Sequence, residues 1–182
     1  MNTVVYNVTE EQRRPFVIQT FTTAFDMVED RIKLMAVDGH GEHQVIWLTR
    51  RLLDRLIPHF IKHLENHAAL DVSVELEQSI QQDLGRKARL RDEKLAPVVV
   101  GPSCSQWLCK TVNITPDGKV LSTVFRDDVS KSAVIRLSIG QIRTVLDILY
   151  DTYRKADWQT AVFPNWICET PKLLEAHAKW IN

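Results

Sequence analysis

His59, His63 and His67 follow one another at intervals of four. On a helix that spacing stacks imidazoles on one side, where two of them can share a transition metal. No H-E-x-x-H pattern and no acidic fourth ligand accompany them. Pro58 stands just before His59 and predicts a kink, because it removes a helical N–H. His67 falls past the expected helix end, near Asn66. The three therefore read as histidines on a solvated helix flank, with His59 and His63 as the secondary metal candidates and no resident metal expected. Asp38, His40, Glu42 and His43 form a second ligand-rich patch, but Asp-Gly-x-Gly also describes an ordinary hairpin connection. A cysteine nucleophile needs a base at its side, and nothing in the order of residues sets Cys104 or Cys109 beside a histidine. The six glycines fit neither G-x-G-x-x-G nor G-x-x-x-x-G-K-[ST], so no phosphate cradle is expected. Catalysis is the least supported class, and no cofactor is implied.

The chain of 182 residues is 45% hydrophobic and 25% charged, enough to bury a core without disulfide staples. Lys plus Arg number 23 and so do Asp plus Glu, so no global charge selects nucleic acid, membrane or an acidic substrate. Three cysteines without C-x-x-C spacing fit a reducing compartment. Residues 1–7 lack the basic and apolar regions of a secretory signal, and no apolar run approaches the roughly 18 residues of a spanning helix. The expectation is a cytoplasmic protein without a membrane partner.

The elements that must carry these residues come in two similar sets. Val45-Ile46-Trp47-Leu48-Thr49 and Val134-Ile135-Arg136-Leu137-Ser138 are both short apolar strands ending in a hydroxyl residue suited to cap a helix. The helices that follow share a register: Leu53, Leu56, Ile57, Phe60, Ile61 and Leu64 match Ile142, Val145, Leu146, Leu149, Tyr150 and Tyr153 in order. Spacings of three and one put each set on one helical face. Upstream, strands are expected at residues 31–37 and 119–125, and before them at 16–25 and 107–114, with Thr115-Pro116-Asp117-Gly118 as a turn. Val4-Val5-Tyr6 and Val98-Val99-Val100 would open each half. The fold class expected is α+β: a tandem duplication of a ββββα-like unit, with antiparallel sheets, packed amphipathic helices and a pseudo-two-fold.

Between the halves, Val72, Leu76, Ile80 and Leu84 recur every four residues and predict a connecting helix docked by a narrow apolar stripe. Its basic end, after Gly85, is expected to be mobile. Trp158, Phe163 and Trp166 form an aromatic tail, and Thr170-Pro171 predicts a short helix closing the core with Leu173, Leu174, His177 and Ile181. The organisation is a first repeat at 1–67, a connector at 68–96, a second repeat at 97–157 and a tail at 158–182, together one compact domain.

If Ile46 and Leu48 face the core, Trp47 faces away, and so does Arg136. Lys33 and Lys110 would join them, with Arg86, Lys87, Arg89 and Arg91 on the connector. An aromatic side chain among cations can stack bases and neutralise phosphates of an unpaired strand. The competing account packs Trp47 and Trp107 under the connector or against another subunit.

The stretch Ser132-Ala133-Val134-Ile135-Arg136-Leu137-Ser138, with the helix holding Val145, Asp147, Leu149 and Asp151, resembles the last strand and helix of a PUR repeat. The duplicated ββββα outline resembles the whirly group more distantly. These families bind single-stranded nucleic acid, so the resemblance implies a nucleic-acid binder. The expected function is a non-catalytic binding protein with single-stranded nucleic acid as partner. The alternative is a protein-interaction or assembly factor that could form a homo-oligomer, and a metal-dependent enzyme comes third.

Overall fold

The computed structural model describes residues 15–68, 74–91 and 96–168. Val4–Tyr6, Val72 and the helix expected from Thr170 lie outside the described residues, as do the side chains of Arg89 and Arg91.

The first half is an antiparallel meander of β1 (Phe16–Asp26), β2 (Arg31–Asp38) and β3 (His43–Thr49), leading into α1 (Arg50–Glu65). α2 (Val74–Arg91) follows, then β4 (Ser105–Leu108) and β5 (Thr111–Asp117). β6 (Val120–Arg126), β7 (Ser132–Ser138), α3 (Ile139–Lys155) and the one-turn α4 (Asn165–Cys168) complete the described chain. The protein is α+β.

Strands alternate in burial as a two-residue period demands. Ile32, Leu34 and Ala36 of β2 are buried while Arg31, Lys33 and Met35 are half-exposed; Leu121, Thr123 and Phe125 of β6 alternate likewise with Ser122 and Val124. The inner face takes α1 and α3. Both helices start on the expected hydroxyl caps. Thr49 accepts from the Leu52 N–H, and Ser138 forms a reciprocal capping box with Gln141. Leu53, Leu56, Ile57, Phe60 and Leu64 are buried against the sheet with Ile142, Leu146, Leu149 and Tyr153, while Ile61, Val145 and Tyr150 pack at the margin. The void left among these side chains is only about 30 Å³. Ligand pockets run to several hundred Å³, so this gap holds no ligand.

Two antiparallel sheets were expected; the strands instead form one mixed sheet in the order β4-β3-β2-β1-β7-β6-β5. Two parallel pairings join the meanders: Phe16 and Val17 with Ala133 and Val134, and β3 with β4. Only Cys109 and Lys110 stand between β4 and β5, which are the two ends of that order. The Cys109 N–H donates to the Trp47 carbonyl on one side (2.9 Å) and the Lys110 N–H to the Arg126 carbonyl on the other (2.8 Å). One run of chain, residues 105–117, therefore stitches the curled sheet's two edges together. Hydrophobic alternation specifies faces and says nothing about which strands are neighbours, so this closure is silent in the sequence.

Two local expectations need correction. Val98–Val100 is not a strand; the segment is held by the Val98 N–H donating to Thr22 Oγ1. β5 continues through Pro116 to Asp117, and the turn is Gly118-Lys119, where Gly118 takes a positive φ of 56°. Pro116 is accommodated because β5 pairs with β6 alone. α1 runs from Arg50 to Glu65 with Pro58 inside it, its ring exposed.

α2 docks by the side opposite to the one expected. Gln78, Gln82 and Asp83 are buried, whereas Ile80 and Leu84 are 43% and 55% exposed. The amide of Gln78 donates to the Leu64 carbonyl and its Oε1 accepts from Arg143 at 2.5 Å. Gln82 donates to the Arg143 carbonyl. Polar groups of α1 and α3 thus recruit the polar face of α2. Around α4, Trp158, Phe163 and Tyr153 meet edge to face, and Trp158 Nε1 donates to Asp30.

Candidate binding surface

The outer sheet face collects side chains in lanes fixed by strand register. Ala24, Lys33, Trp47 and Leu108 are lateral neighbours across β1, β2, β3 and β4. Beside them run Thr22, Met35, Val45 and Gln106. On the other half, Asn113, Val124, Val134 and Val17 form an equivalent lane, with Val17 55% exposed. Thr115, Ser122 and Arg136 form the next.

Trp47 does point outward, half-buried, as the alternation requires. Its indole is already engaged: Lys33 Nζ lies 4.9 Å from the ring centroid and the ring N–H donates to Gln106 Oε1 at 3.3 Å. Trp107, one register position from it, is instead buried in the core with its N–H on Gln44.

Of the cations expected to meet phosphates, the five whose side chains are described each face a carboxylate. Lys33 pairs with Asp26, whose carboxyl is held below its usual range first by that contact and then by the Glu29 N–H. Arg136 pairs with Asp117 at 3.0 Å and Lys110 with Asp128 at 3.5 Å. Lys87 pairs with Asp83 along α2. Arg86 is spent inside the fold, its Nε donating to Asp147 and its terminal nitrogen to the Ile167 carbonyl. Arg31, not foreseen at this surface, pairs with Glu29. Pairings such as Arg136 with Asp117 and Arg86 with Asp147 escaped the sequence reading because they join residues on different elements, which only the folded arrangement brings together.

The Asp38 loop is a self-capped hairpin. Asp38 Oδ1 accepts from the His40 and Glu42 N–H groups. Slight burial works to raise this carboxyl, and the backbone donors outweigh it and lower it. Asp127 does the same in the β6–β7 turn, accepting from Val129, Ser130 and Lys131. An open cleft of about 780 Å³ lies beside the Asp38 loop, bounded by Phe16, Val17, His40, His43 and Ser105.

The histidines divide. His59 is exposed, but His63 is 6% exposed, a correction to the solvated flank expected for it. That side of α1 faces Val112, Ile114, Pro116 and Leu121 across a cleft of about 410 Å³. His63 Nε2 is buried without a hydrogen-bond partner, and burial, aided by His67, holds its pKa below the ordinary value. His67 lies beyond the helix end, with Nδ1 2.8 Å from the His63 carbonyl. Among the described residues no three His, Cys, Asp or Glu side chains are grouped to hold a metal ion.

Cys104 and Cys109 offer little thiolate. Cys109 is buried, and its pKa is pushed up to about 11. Cys104 is raised by burial too, and its thiol meets the carbonyl of His43, not the imidazole. Among the described residues, no helix is long and apolar enough to cross a membrane. No known protein family, no curated protein and no solved structure matches this chain.

Proposed function

We propose that this is a non-catalytic binding protein and that its partner is another protein, met on the outer sheet face. The carrying observation is the composition of that face. Its middle holds apolar side chains, with Val17, Val124 and Val134 on one half and Met35, Trp47 and Leu108 on the other. Its charges, on Lys33, Arg31, Lys110 and Arg136, stand in closed pairs with Asp26, Glu29, Asp128 and Asp117. An apolar centre with charges neutralised around it suits a protein interface, whereas phosphates call for unpaired cations. The discriminating test is affinity capture from the source cells with wild type beside Val17→Asp and Trp47→Glu. A partner retained by wild type and lost by both variants, each still folded, is expected. A partner indifferent to both sinks this surface.

Single-stranded nucleic acid remains a second reading, favoured by one observation: Trp47 and Lys33 lie together on an outward lane, an aromatic face beside a cation. A base would have to displace Lys33 from the indole, and a phosphate would have to compete with Asp26. Titration of a labelled single-stranded oligonucleotide at low and moderate salt tests it. Saturable binding that weakens about ten-fold in Trp47→Ala and falls with salt would put this reading first.

We also propose that the halves are a tandem duplication about a pseudo-two-fold. Support comes from one constant offset that relates Asp38 to Asp127, Glu42 to Lys131, Thr49 to Ser138 and Phe60 to Leu149. The Asp38 and Asp127 N–H groups donate across their turns to the Glu42 and Lys131 carbonyls, both at 3.1 Å. Each half also adds a parallel pairing, β1 with β7 and β4 with β3. The cytoplasmic setting belongs to this same reading and rests on the cysteine pattern alone.

A further inference from the structure

The outer sheet face holds its cations in closed pairs, whereas helix α1 leaves most of its own open. Arg51, Arg55 and Lys62, with His59 between them, are exposed. None of the four takes an ion pair or a side-chain hydrogen bond among the described residues. At 3.6 residues per turn they fall within an arc of roughly 80° on the solvent side, spread over about 16 Å of helix. The acids of α1 leave this stripe alone. Asp54 accepts from the Tyr153 hydroxyl at 3.0 Å and lies 3.9 Å from Arg50, and Glu65 pairs with none of the four. A single exposed cation is ordinary surface, but a line of them in a chain whose basic and acidic residues are equal in number is a segregated field.

The stripe runs into a cleft. His59 and Lys62 also bound the opening of about 410 Å³ beside β5, with His67 beyond them. The opposite wall is apolar, built from Ile114 and Pro116 of β5 and Leu121 of β6, and among the described residues no carboxylate lines the cleft. His67 is exposed, its ring held by the Nδ1 contact to the His63 carbonyl. His63 lines the same cleft with its Nε2 buried and unbonded. An apolar wall, an exposed imidazole and an unsatisfied polar atom suit a flat heteroaromatic ring with polar edges, a base lifted out of its stack.

Cations repeated at each helical turn can neutralise successive phosphates, and arginine grips a phosphate with a fork of donors. We propose that α1 is a track for a single-stranded nucleic acid, with Arg51, Arg55, His59 and Lys62 along the phosphates and a base lodged against Pro116 and His67. A duplex keeps its bases stacked and has nothing to place in the cleft. An anionic bilayer fits less well, because none of the exposed large apolar residues belongs to α1 and a plane of headgroups leaves the cleft unused. This surface lies on the helix layer, away from Trp47, and stands without either reading of the outer sheet face.

Titration of a labelled single-stranded oligonucleotide by fluorescence anisotropy tests the proposal. Saturable binding at low salt that falls as salt is added is expected. Arg51→Glu with Arg55→Glu should weaken it about 100-fold or more, and because both positions are exposed the fold should survive, as circular dichroism would verify. Arg51→Lys with Arg55→Lys should keep most of the affinity, since the charge remains. His67→Ala should weaken binding about ten-fold through lost stacking and leave the salt dependence unchanged. Trp47→Ala should change nothing, which separates this track from the sheet face. No saturable binding at micromolar protein in low salt would overturn the proposal, as would binding unmoved by the Arg51 and Arg55 charge reversals. So would equal affinity for a duplex of the same length or for phosphatidylserine vesicles, either of which needs the charge alone.

Discussion

His63 is buried without a partner for Nε2, and its pKa is lowered by burial first and by His67 second, with the Lys119 carbonyl acting the other way. The folded state therefore prefers the neutral imidazole. Above the ordinary histidine value of about 6.5 both folded and unfolded chains are neutral there, and stability is unaffected. As pH falls through that value the unfolded chain takes up the proton more readily, so stability is lost on the acid side. The expected result is a melting temperature that falls between pH 7 and pH 5 in wild type and falls less steeply in His63→Leu. Equal slopes would show that His63 contributes nothing to the acid sensitivity. Chemistry at single residues was partly legible. Trp47 outward and His67 past the helix end follow from periodicity. The burial of His63 does not, because a side chain on a helix flank is buried or exposed according to what tertiary neighbour lies there, and β5 does.

At the scale of elements, α1 and α3 carry the core, and their stripes were readable because six apolar residues at helical spacing admit only one buried face. Phe60 is 2% exposed, so Phe60→Ala should cost about 3–5 kcal/mol in denaturant melts through lost burial and the cavity left behind. Removing the cap hydroxyl in Ser138→Ala should cost about 1 kcal/mol, because the Gln141 N–H loses its acceptor. If the two variants destabilise equally, the core and cap assignments need revision. α2 was misread for a physical reason. A four-residue repeat of aliphatics normally marks the buried stripe, yet two amides that satisfy buried groups on α1 and α3 hold the opposite face inward. Amphipathic pattern reports where apolar residues align and leaves open which face the rest of the fold binds more strongly.

On the scale of the molecule, the fold depends on long reaches of chain. The Trp158 ring N–H and Asp30, which meet at 2.8 Å, are 128 residues apart, and Cys104 meets a carbonyl 61 residues upstream. Contacts so distant in sequence slow folding more than they weaken the final state. Cys109 and Lys110 hold both edges of the sheet. Their amides should therefore exchange with solvent in step with one another, at free energies near that of global unfolding. Independent, faster exchange at either would mean the two edges part separately. Lys110→Pro, which deletes one of the two N–H donors, should speed exchange across β6 and β3 together.

The same strand run has a consequence for the chain during synthesis. β1, β2, β3 and α1 are made first, but the partner that pairs along the outer edge of β3 is not made until residues 105–108, and the partner beside β1 not until 132–138. In the interval the nascent meander offers two open edges with unpaired backbone groups, the feature that invites strand addition between chains. Expression cut off before Ser105 should thus yield aggregating material despite a complete hairpin set and an intact α1, and slowing translation after Glu65 should deepen dependence on chaperones.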